Sequence, residues 1–134
     1  MSYKNPEGYS DPVPAEAIAN MEKEIRKFRP IVYICSPFSG NVDENTKKAR
    51  RYSRFAVDQG AIPIAPHLLF PQFMKEETER DLVIQMDMVL LAHCLELWVF
   101  GTYTSEGMEE EITRARKRRM PIRYFNEELE EVTE

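Results

Sequence analysis

At 134 residues the chain is long enough for one domain, which would bury roughly two-thirds of its unfolded surface. A hydrophobic content of 43% with 10% aromatics excludes a disordered chain, and a net charge of -5 excludes broad binding to a nucleic-acid polymer. No apolar run approaches the roughly 20 residues that span a bilayer, and no basic segment leads into an apolar one at the N-terminus. A cytoplasmic protein without membrane contact is expected.

Residues 1–11 are polar and rich in chain breakers, which predicts a flexible or draped arm ahead of a domain over residues 12–125. A first helix is expected from Pro14 to Phe28. Ile31-Val-Tyr-Ile-Cys35 is short, apolar and β-branched, as suits a strand buried on both faces. Ser36-Pro-Phe-Ser-Gly40 breaks it. The next helix spans Asp43 to Gln59, with Ala49, Tyr52, Phe55 and Ala56 on its inner stripe and Gly60 as its stop. Ala61 to Ala65 reads as a second strand, placed at an edge by Pro63, which has no N–H to donate. A loop from Pro66 to Lys75 leads to a long helix from Glu77 to Cys94. Leu95 to Phe100 is the third strand, Ser105 to Arg118 a further helix and Pro121 to Phe125 a fourth strand. The acidic stretch 126–134 is expected as a solvated helical turn or a disordered tail.

Strand and helix alternate, with crossovers long enough for parallel pairing. The pattern predicts an α/β single-domain doubly wound sandwich, with a central, mostly parallel sheet of four or five strands flanked by helices. Cys35 and Cys94 lack metal or redox spacing and read as reduced core residues. The basic cluster Arg114, Arg116, Lys117, Arg118 and Arg119 reads as the solvated end of a helix, where cations complement the dipole.

In such a sheet the segments after the first three strands share one edge, where ligands bind. The first, with Ser36, Ser39 and Gly40, offers hydroxyls and backbone N–H groups, and is open to reading as a plain turn or as an anion site. It is neither a phosphate-binding P-loop nor a dinucleotide fingerprint. The second carries His67, Phe70 and Phe73; a lone histidine and two phenylalanines in such a place are more often structural. The third leads into Ser105-Glu-Gly-Met-Glu-Glu-Glu111.

Two carboxylates stand out. Asp87 has Val83, Ile84, Leu90 and Leu91 at helical contact spacing, which puts it on a buried or half-buried face and raises its pKa. Such a group needs compensation by hydrogen bonds or by function. Asp81, by contrast, reads as solvated. Glu111 ends a charged run of a kind usually found on the surface. Met108, Ile112 and Ala115 define the apolar side of its helix; Glu110 points away from that side and Glu111 lies at its border.

Val32-Tyr-Ile-Cys-Ser36, Pro66-His67, Asp87 and Ser105-x-Gly107-x-x-x-Glu111 together resemble the nucleoside 2-deoxyribosyltransferase-like superfamily. It includes deoxyribosyltransferases and 2'-deoxynucleoside 5'-phosphate N-hydrolases. The resemblance covers about residues 30–125, and its most specific element is Asp87, Ser105 and Glu111 at family spacing. It implies that Glu111 is the nucleophile on the anomeric carbon, that Tyr33 holds this carboxylate, and that Asp87 handles the proton of the leaving base. It places Ser36, Ser39, Gly40, His67, Ser105 and Gly107 against the substrate. Ser105 matches a position that is serine in monophosphate hydrolases; Ser39 stands where those relatives have an arginine. The implied activity is cleavage of the N-glycosidic bond of 2'-deoxynucleosides or their 5'-monophosphates through a covalent glycosyl-Glu111 intermediate. Base exchange by a transferase and a non-catalytic nucleotide-binding module are the alternatives. No metal or organic cofactor is implied; the partners implied are a small nucleoside or nucleotide and further copies of the chain, as a homodimer or larger homo-oligomer.

Overall fold

The computed structural model describes residues 3–4, 10–11 and 14–133. Two short strands, β1 (Tyr3–Lys4) and β2 (Ser10–Asp11), pair antiparallel; the rest of the expected arm lies outside the described residues. Helix α1 (Ala15–Arg26) buries none of its side chains, leaving Ile18, Met21 and Ile25 exposed along it.

The α/β unit follows as β3 (Ile31–Cys35), α2 (Val42–Asp58), β4 (Ile62–Ile64), α3 (Pro66–Leu69), α4 (Glu76–Ala92), β5 (Glu96–Phe100), α5 (Glu106–Lys117), β6 (Ile122–Phe125) and β7 (Glu131–Val132). The strands form one sheet in the order β4-β3-β5-β6-β7. The first four run parallel and β7 antiparallel to β6. This is the expected doubly wound sandwich. The expected core strands and long helices are all present, their ends shifted by a residue or two where helices fray. Pro63 sits in β4 at the sheet edge, where a missing donor disturbs one ladder at most.

Two expectations are corrected. The segment from Pro66 to Lys75 is not an open loop. Pro66 begins α3, where its fixed φ and absent N–H suit the first helical turn, and a 3-10 turn over Phe70–Gln72 follows directly. The acidic tail is neither a helical turn nor disordered over the described residues. Asn126 Oδ1 accepts from the Glu130 N–H at 2.9 Å, Leu129 takes φ +67°, and β7 pairs with Tyr124 and Phe125. Arg123 grips Glu131 through two bonds of 2.9 and 2.8 Å. The edge of β6 would otherwise present unpaired backbone, and β7 covers it.

Alternation along β3 and β5 builds a core on each face of the sheet. On one, Val32, Ile34, Trp98, Phe100 and Phe125 pack against Tyr52 and Ala56 of α2. On the other, Tyr33, Cys35, Leu97 and Val99 pack against Leu91 of α4 and Met108, Ile112 and Ala115 of α5. From β3 the chain moves outward to β4; from β5 it moves the other way to β6. The crevice between the carboxyl ends of β3 and β5 is therefore the topological switch point, the place where open α/β sheets take ligands.

Candidate active site

A cavity of about 360 Å³ opens at that switch point, within the range of small-molecule sites. Its walls are the loop after β3, the α3 turn, the inner face of α4 and the first turns of α5. The loop is held from below by Asn45, buried on the first turn of α2, whose amide donates to the carbonyls of Phe38 (3.0 Å) and Ser39 (3.2 Å). His67 supports it from the side. Its Nε2 lies 3.0 Å from the Ser36 carbonyl, and its ring stacks on Phe38 at 4.9 Å. A carbonyl can only accept, so Nε2 carries the proton; burial holds the histidine pKa below its ordinary value and keeps the ring neutral.

Ser105 caps α5. Its hydroxyl oxygen accepts from the Met108 N–H at 3.3 Å, while its own N–H faces the Met108 sulfur at 3.4 Å. This fixed start sets the phase of α5. Met108, Glu111, Ile112 and Ala115 consequently turn inward, and Glu111 enters the sheet side as a carboxyl group within an apolar stripe. Asp87 reaches the same cavity from α4, buried as its apolar neighbours require.

Both carboxyls are shifted upward. Burial raises Asp87 to about 7, with the Glu76 charge adding to it. Burial raises Glu111 to about 8; the Tyr33 hydroxyl and the Cys35 thiol pull it down, and the Asp87 and Glu110 charges push it up. The Tyr33 hydroxyl lies beside the Glu111 carboxyl without closing to full hydrogen-bond geometry, and its own pKa is driven far upward by burial. Among the described residues the buried side-chain oxygens without a partner are Tyr33 Oη, Ser36 Oγ and Asp87 Oδ1. An orphaned buried polar atom costs roughly 1–3 kcal/mol. Their concentration in and just beneath one cavity marks it as built to receive a polar ligand. Among the described residues no three His, Cys, Asp or Glu side chains gather in a way that could hold a metal ion.

Residues 30–125 match the family described as Domain of unknown function (DUF7768). The chain belongs to this family. No curated protein matches its sequence. Among solved structures, the 2-deoxyribosyltransferase from the psychrotolerant bacterium Bacillus psychrosaccharolyticus is similar, with a TM-score of 0.56 and 20% identity over 72% of each chain. At that identity the likeness is one of fold. Among the described residues no helix is long and apolar enough to cross a membrane.

Within this DUF7768 domain the cavity gathers Ser36, Ser39, His67, Asp87, Ser105, Gly107 and Glu111, all singled out in the sequence. Tyr33 stands behind the wall, against Glu111. Gly40 does not line the cavity; at φ +96° it turns the exposed loop toward α2, a backbone state that a side chain would strain. Phe70, read as core, is buried and yet lines the cavity, with the exposed Phe73 set edge-on against it at 6.1 Å. Cys35, read as core, is core and also a neighbour of Glu111.

Sequence reasoning missed Phe38, Met74, Glu76, Arg80 and Glu106 on the cavity wall, and Asn45 beneath it. It also undervalued Glu110, which is exposed, as its helical phase requires, yet stands at the cavity rim. Exposed charges at helix starts carry no mark of the crevice they border. Asn45 had a findable signal, being a short amide one turn before the apolar stripe that begins at Ala49.

Proposed function

We propose that the protein cleaves the N-glycosidic bond of a 2'-deoxynucleoside or its 5'-monophosphate by double displacement at Glu111. The observation that carries this reading is the pair of buried carboxyls, Asp87 and Glu111, brought from two helices to one cavity with raised pKa values. Breaking a C–N glycosidic bond makes the sugar carbon electron-poor and the base electron-rich. One carboxylate to trap the sugar and one carboxylic acid to protonate the base meet both needs.

The Glu111 carboxylate attacks the anomeric carbon as the C–N bond breaks, and the bonding electrons leave on the base nitrogen, which takes the Asp87 proton. The sugar is then an ester of Glu111. Water adds to the same carbon, Asp87 accepts its proton, and Glu111 departs as carboxylate. Asp87 suits the acid role because desolvation keeps it protonated close to neutral pH. Glu111 is the more deeply buried of the two, and burial raises it as well. Positive charge growing on the sugar favours its ionised form, and the Tyr33 hydroxyl and Cys35 thiol act in the same direction. Ser36, with an unpartnered hydroxyl, and neutral His67 supply hydrogen bonds to the sugar. Ser39, Ser105 and Gly107 complete the wall against the substrate.

A transferase that passes the sugar to a second base is favoured by the fold likeness to a 2-deoxyribosyltransferase. It differs only in the acceptor. A homo-oligomer is supported by α4, which keeps Leu82 and Val89 exposed although it is apolar around much of its circumference.

The test is chromatography of the protein with the four deoxynucleosides and their 5'-monophosphates, with and without a second free base, beside Glu111→Ala. Base released by the parent protein and not by the variant is the expected result. A new nucleoside formed from the added base selects the transferase. No release from any substrate, or equal release by Glu111→Ala, refutes the reading.

A further inference from the structure

We infer that the substrate is the uncharged nucleoside and that the cavity turns a 5'-phosphate away; this rests on the glycosidic cleavage proposed above. Glu76, Asp87, Glu106, Glu110 and Glu111 all stand among the residues that line the cavity, Glu106 and Glu110 as exposed side chains at its rim. Among the described residues that line it Arg80 is the only lysine or arginine, and its exposed guanidinium is 3.6 Å from the Glu76 carboxylate. His67, the other candidate cation, is buried and neutral.

The polar groups that could receive a phosphate are committed elsewhere or set among carboxylates. Ser39, on the exposed loop, can offer a phosphate only a neutral hydroxyl, and its carbonyl, which accepts from Asn45, can offer it nothing. The start of α5 has the backbone N–H groups that suit an anion, but Ser105 has taken the Met108 N–H, and Glu106 and Glu110 flank what remains. A phosphate would exchange its hydration for the neighbourhood of Glu76, Glu106 and Glu110, each ionised carboxylate worth on the order of tenfold in affinity. Sugar hydroxyls and base N–H groups are donors, and carboxyl oxygens, ionised or not, can accept from them. Ser36 Oγ and Asp87 Oδ1, both at least nine-tenths buried and without partners, mark where such donors would end.

The experiment compares kcat/KM for base release from each 2'-deoxynucleoside and its 5'-monophosphate. The expected ratio favours the nucleoside by roughly 100-fold. The double variant Glu106→Gln/Glu110→Gln narrows that ratio by about tenfold, mainly through KM of the monophosphate. Ser39→Arg, at an exposed loop position, narrows it independently should the double variant fail to fold. A monophosphate used as well as the nucleoside overturns the preference while leaving the glycosidic reading intact. So does a ratio that neither variant moves.

Calorimetric binding of the same two ligands to Glu111→Gln reads the preference without turnover. Tighter nucleoside binding supports it, and equal or tighter monophosphate binding overturns it. Base release from neither substrate by the parent protein removes the glycosidic reading, and binding of neither ligand removes both.

Discussion

The two faces of the sheet do different work with the same strands. Against α2, Phe100 lies between Tyr52 (4.4 Å, 10°) and Phe125 (5.0 Å, 17°), with Phe55 and Trp98 closing on Phe125 at 5.1 and 5.2 Å. Arg123 covers Trp98 at 4.8 Å, and the Trp98 N–H donates to Glu96 at 2.9 Å. Among the described residues no fully buried side-chain nitrogen or oxygen on this face lacks a partner. Across the sheet, Tyr33 and Cys35 from the same β3 face a carboxylate, and Tyr33 Oη lacks a partner. The contrast separates a face that holds the fold from one whose polar groups await a ligand, a division common where stability and chemistry share one core.

Glu111→Gln should sharpen the contrast most. Base release should fall on the order of 10⁴-fold while the melting midpoint at pH 8 stays level or rises, because a buried charge is replaced by a neutral isostere. Calorimetry beside the chromatographic assay reads both. A variant that loses stability in proportion to activity would assign Glu111 to the scaffold.

Phe100→Ala probes the opposite face. Phe100 has no exposure and stacks with two rings, so its truncation should cost about 3–5 kcal/mol in urea unfolding. The fraction that stays folded should retain its kcat.

The pH dependence follows from the raised carboxyls. A carboxyl whose folded pKa lies above its unfolded value binds its proton more tightly in the folded state. Stability is therefore greatest below the unfolded pKa and falls as pH rises toward the folded one. With Asp87 at about 7 and Glu111 at about 8, the decline runs from near pH 4 to near pH 8. It amounts to on the order of a few kcal/mol, and Asp87→Asn should remove part of it. Activity should fall on the alkaline side as Asp87 loses the proton it gives to the base, and on the acid side as Glu111 stays protonated. Melting curves and initial rates across pH 4–9 check both limbs. A stability profile flat between pH 4 and 8 would contradict the burial of the pair.

The smallest effect is expected at the junction of fold and site. Ser105→Ala removes the cap of α5 and should cost about 1 kcal/mol in urea unfolding. Activity should fall further than that loss explains, since the start of α5 sets the direction of Glu111.

Much of this was legible in order along the chain. Short apolar runs ended by breakers located β3, β5 and β6, and Pro63 marked the edge strand. The apolar neighbours of Asp87 marked a carboxylate out of place. Less legible were features whose meaning lies in a distant partner. Pro66 suited a helix start as well as a loop, and only the turns over Phe70–Gln72 decided between them. The acidic tail lacked strand character until β6 offered it an edge. Glu111 sat at the border of an apolar stripe, and helical phase alone could not say whether that border faced water or the sheet.

The sequence by itself determined the α/β class, the order of the central strands and long helices, and the burial of Asp87, because periodicity and turn chemistry are local properties. Tertiary structure is what brings Asp87 and Glu111, 24 positions apart (111 − 87) and matched to one site only by resemblance, into one cavity. It alone decided that His67 is neutral and that Arg80 stands on the wall already matched with Glu76. Charge, protonation and orphaned hydrogen bonds depend on what surrounds a group in space, and that is set only when the sheet closes between its helices.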